Sequence, residues 1–336
     1  MKNLKLLFLF LGLILLGFII QKADLKEVWR HVTEVGWGGM AFVLGFYILA
    51  SVTDVTSWQL TFETIPLKPR WLGRLYLIRT VGEAFNNVLP LASLGGEPIK
   101  AWMLNTYYGI EYRESIASLV LAKTIILIGL VLFLSAGFVL MMNSSGLPSA
   151  YKAVAGVGLV SFNIAIILFF LVQRFQIASW VGRFLGNSRA AHRIEDLLTL
   201  IRAVDERLLE FYTLRHKRFW AALLLSSSNW LSGVIEIYCI MYLLGHPITF
   251  TDAWIIEAMA QLVRAGTFFI PSSIGAQEAT FTVVCSAITG IPSLGLAALV
   301  IRRSREIVWI LTGLGIWWWY SLQPGFSGAH EQTLVR

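Results

Sequence analysis

No water-soluble core buries an apolar run as long as 115–141, which carries a single charged residue, Lys123. About 20 apolar residues in a helix cross the hydrocarbon core of a bilayer, and this chain supplies such runs repeatedly. The first, at 6–20, follows two lysines as a signal peptide would. No small-x-small cleavage pattern comes after it, so it reads as an uncleaved transmembrane helix. Further runs near 39–60, 115–141, 152–172, 219–243 and 295–320 bring the expected number of full spans to six. Only 14% of the 336 residues are charged and 57% are hydrophobic, whereas a soluble domain carries about 25% charged residues. Disorder, a disulfide scaffold and a cytosolic enzyme are thereby excluded.

The few charges fix a topology. Segment 174–218 has the strongest excess of Lys and Arg, which places it in the cytoplasm by the positive-inside rule. Counting spans from there puts 21–35, 143–150 and 245–250 outside, and 62–74, with Lys68, Arg70 and Arg74, inside. Both termini are then cytoplasmic. The net charge of +7 points to an anionic lipid surface and not to nucleic acid, because the basic residues flank apolar spans. Within 174–218, Ile194, Leu197, Leu198, Ile201, Val204, Leu208 and Phe211 recur at helical spacing. They form the apolar face of an amphipathic helix.

Two apolar stretches, 75–106 and 252–290, are broken in their middles. The first break reads Leu89-Pro90-x-x-Ser93-Leu94-Gly95-Gly96-Glu97, and the second Ile270-Pro271-Ser272-Ser273-Ile274-Gly275-x-Gln277-Glu278. Both share apolar-Pro, then Ser-apolar-Gly, then Glu. Each half is too short to span, and freed backbone groups at membrane depth must be buried or line a wet cavity. These stretches are expected to be re-entrant hairpins that enter from opposite sides, an inverted repeat of the kind that builds midplane sites. Ser93 and Ser273 stand at expected helix caps, and the glutamates in the first turns that follow.

Other charges crowd the same zone. Arg79 and Glu83 are spaced i,i+4 ahead of Asn86 and Asn87; Lys100 follows the first break, and Lys123 lies inside the third full span. Glu257, Gln261 and Arg264 share a face ahead of the second break, and Arg302, Arg303, Arg305 and Glu306 interrupt the last span. Each charge costs about 2.5–3.5 kcal/mol at a helix centre, so they should face the bundle interior and pair. With the breaks' Ser93, Gly95, Gly96, Glu97, Ser272, Ser273, Gly275, Gln277 and Glu278 they make up the expected substrate site. No phosphate-binding glycine loop and no His/Cys cluster occurs, so no ATP motor, metal or other cofactor is expected. Cys239 and Cys285 read as small core residues, and the five histidines fall in expected loops or interfacial segments.

The string from Asn86-Asn87-Val88-Leu89-Pro90 to Gly95-Gly96-Glu97-Pro98-Ile99-Lys100-Ala101 resembles the first signature of the lysylphosphatidylglycerol synthase transmembrane, or flippase-like, family. The second break, with Ile301-Arg302-Arg303-Ser304-Arg305-Glu306, is similar to its second signature, in the form associated with hopanoid biosynthesis. The likeness covers about 1–322, read as one integral membrane domain with a cytoplasmic tail over 323–336. It implies a multi-pass protein of the bacterial inner membrane that moves a modified lipid between leaflets. Its partners would be an anionic phospholipid, an aminoacylated lipid or a hopanoid-like lipid, and a separate lipid-modifying enzyme. The expected fold class is an all-α polytopic membrane protein. Three functions stay open: lipid translocation, membrane-embedded aminoacyl or glycosyl transfer, and small-solute transport.

Overall fold

The computed structural model describes residues 24–89, 95–144, 148–174, 213–267 and 270–323, together with Phe211 and a few positions between 14 and 21. The first expected span, Ser93, the amphipathic segment before Phe211 and the tail lie essentially outside these residues. Among the described residues the chain is all helical: α1 (Leu25–Leu60), α2 (Pro69–Val88), α3 (Glu97–Tyr108), α4 (Tyr112–Asn143), α5 (Ser149–Arg174), α6 (His216–Leu243), α7 (Phe250–Gly266), a short 3-10 turn at Pro271–Ser273, α8 (Ala276–Thr289) and α9 (Pro292–Ser321). Three of these, α1, α4 and α6, are long and apolar enough to cross a membrane.

The region 21–35, expected as an outside loop, is helical from Leu25 onward. Asp24 starts it, its carboxylate accepting the N–H groups of Lys26 at 3.0 Å and Glu27 at 3.2 Å. Gly36, at φ +64°, interrupts α1, so a short N-terminal segment and a longer C-terminal one meet at a kink only glycine enters without strain. His31, expected in a loop, is instead buried on this N-terminal segment and packs edge-to-face on His246 with ring centroids 5.7 Å apart.

The element order repeats. In α1–α4, a long helix is followed by one that stops at a break, a short helix, and another long helix; α6–α9 run the same way. Both short helices end on a left-handed glycine, Gly109 after α3 and Gly290 after α8. Helix α9 is the hub, packed against α1, α2 and α8, while α6 lies mainly along α1. Small residues allow the close approaches. A side chain on Gly313 would meet the Thr80 carbonyl of α2, and one on Gly96 would meet the backbone of Gly82. The largest core joins α4, α6, α7, α8 and α9 through Phe133, Ile237, Ile255, Phe281 and Leu294 among others. A second, around Trp58, Phe62, Ile78 and Leu104, holds α1, α2 and α3 together. Between these apolar bodies the charged residues are enclosed.

Candidate functional site

At the first break, α2 ends where Pro90 removes a backbone donor and α3 restarts on Glu97-Pro98, with Gly96 as its cap. The Asn86 side chain ties the two halves together. Its carbonyl accepts the Gly96 N–H at 2.7 Å, and its amide donates at 3.4 Å to both Glu83 and Glu97. Asn87 donates to the Glu83 carbonyl at 2.8 Å. Lys100 reaches across α2 to Glu83 at 3.0 Å and Glu97 at 3.2 Å, its stem lying where any side chain on Gly82 would intrude. Lys123 of α4 approaches Glu97 from the other side at 3.0 Å.

The second break follows the same plan with different donors. Ser272 and Ser273 both adopt left-handed backbone, at φ 49° and 48°, a conformation that persists only where its surroundings impose it. Arg303 of α9 supplies that restraint: it donates to the Ser272 carbonyl at 2.8 Å, to Glu278 at 3.2 and 3.3 Å, and to Glu306 at 2.8 Å. The expectation that Ser273 caps α8 does not hold. Its hydroxyl accepts from Thr267 at 3.0 Å, and Gly275 caps the helix instead, donating its N–H to Glu278 at 2.7 Å. Ser273 stands two residues ahead of that cap, in a left-handed turn that ends at Gly275, with φ +83°. Glu278 thus holds its own helix start and Arg303 together. Lys123 and Arg303 stand equally far along α4 and α9, and each meets the first-turn glutamate of its own repeat.

A third set of charges lies between the breaks. Arg302 grips Glu257 with both terminal guanidinium nitrogens, at 2.5 and 2.8 Å, and Gln261 donates to the same carboxylate at 2.7 Å. Arg305 donates to Glu236, which Arg302 also approaches at 3.6 Å. Arg79, paired by spacing with Glu83, instead donates to Asp54 of α1 at 2.7 Å and to Ser51 at 3.0 Å. These groups surround a cavity of about 420 Å³. Of the expected site residues, Arg79, Glu83, Asn86, Asn87, Lys123, Glu257, Gln261, Arg264, Ser272, Ser273, Arg302, Arg305 and Glu306 line it; Glu97 and Lys100 line a smaller pocket behind Lys123. Gly95, Gly96, Gly275, Gln277, Glu278 and Arg303 stand outside its wall. Glu278 and Arg303 act on it through Ser272 and Glu306.

The sequence profile of the lysylphosphatidylglycerol synthase TM region matches residues 4–315. The chain belongs to this family. It is also similar to a UPF0104 membrane protein of Methanothermobacter thermautotrophicus, at 25% identity over 353 aligned positions covering 100% of this chain and 99% of that protein. No solved structure matches it. Within this family member the cavity wall includes residues that the sequence reading left out of the site. Asp54, Tyr47 and Asn229 lie in long apolar helices and bring α1 and α6 to the site. An acid in the middle of an apolar span, as Asp54 is, was the available signal.

Proposed function

We propose that this protein moves a lipid with a charged headgroup between the leaflets of the inner membrane. The cavity wall carries the reading. Acids and bases from both breaks share it with Phe46, Ile126, Leu130, Trp230 and Ile270, a mixture suited to an amphiphile and poorly suited to a small ion. The family name supports a phosphatidylglycerol-derived cargo. A hopanoid-like lipid is the other candidate, and a separate enzyme would make the modified lipid. Cargo moves when one break opens toward one leaflet while the other stays closed, as in other inverted repeats.

In the proposed topology six helices cross the membrane and both termini are cytoplasmic. Re-entrant hairpins α2–α3 and α7–α8 enter from the cytoplasm and from outside, respectively. Single cysteines in 143–150 and 245–250 should react with an impermeant maleimide added to intact cells, and those in 174–218 only after permeabilisation. External labelling within 174–218 would overturn the inverted arrangement.

Function itself is read in proteoliposomes. Fluorescent phosphatidylglycerol placed in one leaflet should become accessible to an impermeant quencher on the other side, without covalent change by mass spectrometry. A new covalent product would assign the cavity to transfer chemistry instead, with Glu97 or Glu278 as general base. Solute-coupled proton or sodium flux with static lipid would assign it to solute transport.

A further inference from the structure

The ion pairs of the cavity leave one guanidinium over. Arg79 is held by Asp54, Lys100 by Glu83 and Glu97, Lys123 by Glu97, Arg302 by Glu257, Arg303 by Glu278 and Glu306, and Arg305 by Glu236. Arg264 lines the same cavity from the last turn of α7. Among the described residues it has neither an ion pair within 4.0 Å nor a side-chain hydrogen bond. Glu306 is near enough to attract it, but that carboxylate is already engaged by Arg303 at 2.8 Å. A guanidinium beside a mostly paired wall is a poor helix-to-helix fastener. Its planar fork of donors is, however, well matched to two oxygens of one phosphate.

We infer that Arg264 is the phosphate receptor of the cavity, taking the phosphodiester of a lipid headgroup while the paired cations keep the walls together. This inference rests on the reading of the cavity as a headgroup site. Arg79 and the arginines of α9 are thereby removed as primary anion ligands, because capturing phosphate would strand Asp54, Glu257 or Glu236. Ser272 and Ser273, just past Arg264, are the nearest hydroxyl-bearing residues of the cavity wall along the chain. Lys123 lines the cavity too and is the most accessible of its ion-paired cations, with 38% of its side chain exposed. It supplies longer-range attraction without leaving Glu97.

Phenylglyoxal modification of the purified full-length protein in detergent, mapped by mass spectrometry, tests this on the wild-type chain. Arg264 should be modified, whereas Arg302, gripped by Glu257, should not. Dioctanoylphosphatidylglycerol should protect Arg264, and dioctanoylglycerol, which has the same tails and no phosphate, should not. Equal protection by both lipids, or by neither, overturns the inference. Protection by inorganic phosphate as strong as by the phospholipid would assign the subsite to a soluble phosphate and overturn the lipid source. In direct binding, Arg264→Gln should weaken dioctanoylphosphatidylglycerol by about tenfold or more, with Arg264→Lys in between. Wild-type affinity in Arg264→Gln also overturns it. The two readings fail separately. Protein that binds the phospholipid through Arg264 but never changes its sidedness defeats translocation alone, while full transfer by Arg264→Gln defeats the receptor alone.

Discussion

Arg302→Met should destabilise the protein by about 3–5 kcal/mol, the penalty for stranding a buried carboxylate by removing its partner. Glu257 is only 1% exposed, and Arg302 supplies two of the three side-chain hydrogen bonds it receives, with Gln261 giving the third. With the guanidinium gone, that buried carboxylate keeps a single side-chain amide donor, from Gln261, between α7 and α9. Glu257→Met alone should cost less, since Arg302 can still lean on Glu236 at 3.6 Å. The Arg302→Met/Glu257→Met double variant should recover most of the loss, because replacing a buried pair with apolar residues of similar volume is close to neutral. Unfolding by sodium dodecyl sulfate titrated into mixed micelles measures all three. A double variant as unstable as Arg302→Met would mean that packing around the methionines, and not the stranded charge, sets the loss.

How much of this was legible in the sequence depends on whether a feature is local. The breaks were, because Pro90, Gly96, Pro271 and Gly275 act on their own backbone and no distant group alters that effect. So was the placement of Glu97 and Glu278 in first turns. Pairing across helices was not. Arg79 and Glu83 have the spacing of a helical ion pair, yet Arg79 turns to Asp54 on α1 and Glu83 to Lys100 on α3. A spacing rule names which residues share a face, and the neighbouring helix then decides what they meet. Glu257 and Arg302 are 45 residues apart and Glu236 and Arg305 are 69 apart, so no window along one sequence could match them. The stretch 25–35 was misread for another reason. Its balanced charges look like a solvated loop, but Asp24 caps it, and His31 and Val35 give it a buried face.

The matching roles of Lys123 and Arg303 suggest how the two breaks work as one device. In each repeat a long helix sends one cation to the glutamate that opens the short helix. In the proposed mechanism, moving the long helix would pull on the break, and a group that competes for either member would loosen it. Every pair is exposed to the cavity or borders a residue that is. In the proposed translocation, a headgroup held at Arg264 would lie in the same cavity as these fasteners, and that proximity is the coupling that alternating access would use.

Glu97→Gln and Glu278→Gln should each lower lipid transfer by about 10- to 100-fold, the rate equivalent of losing a charge-assisted hydrogen bond of about 1.5–3 kcal/mol. Folding should survive. A glutamine at 278 can still accept the Gly275 N–H that starts α8, and one at 97 still meets the Asn86 amide. Each substitution removes the charge that draws in Arg303 or Lys123 while leaving the helix start in place. The expected signature is a loss of transfer with little change in detergent stability, at either break. Transfer in proteoliposomes and unfolding in micelles are to be measured on the same preparations. If transfer falls only in step with stability, these glutamates are helix caps and nothing more. If Glu278→Gln alone is impaired, the first break is scaffold, and the paired-gate mechanism gives way to a single moving hairpin.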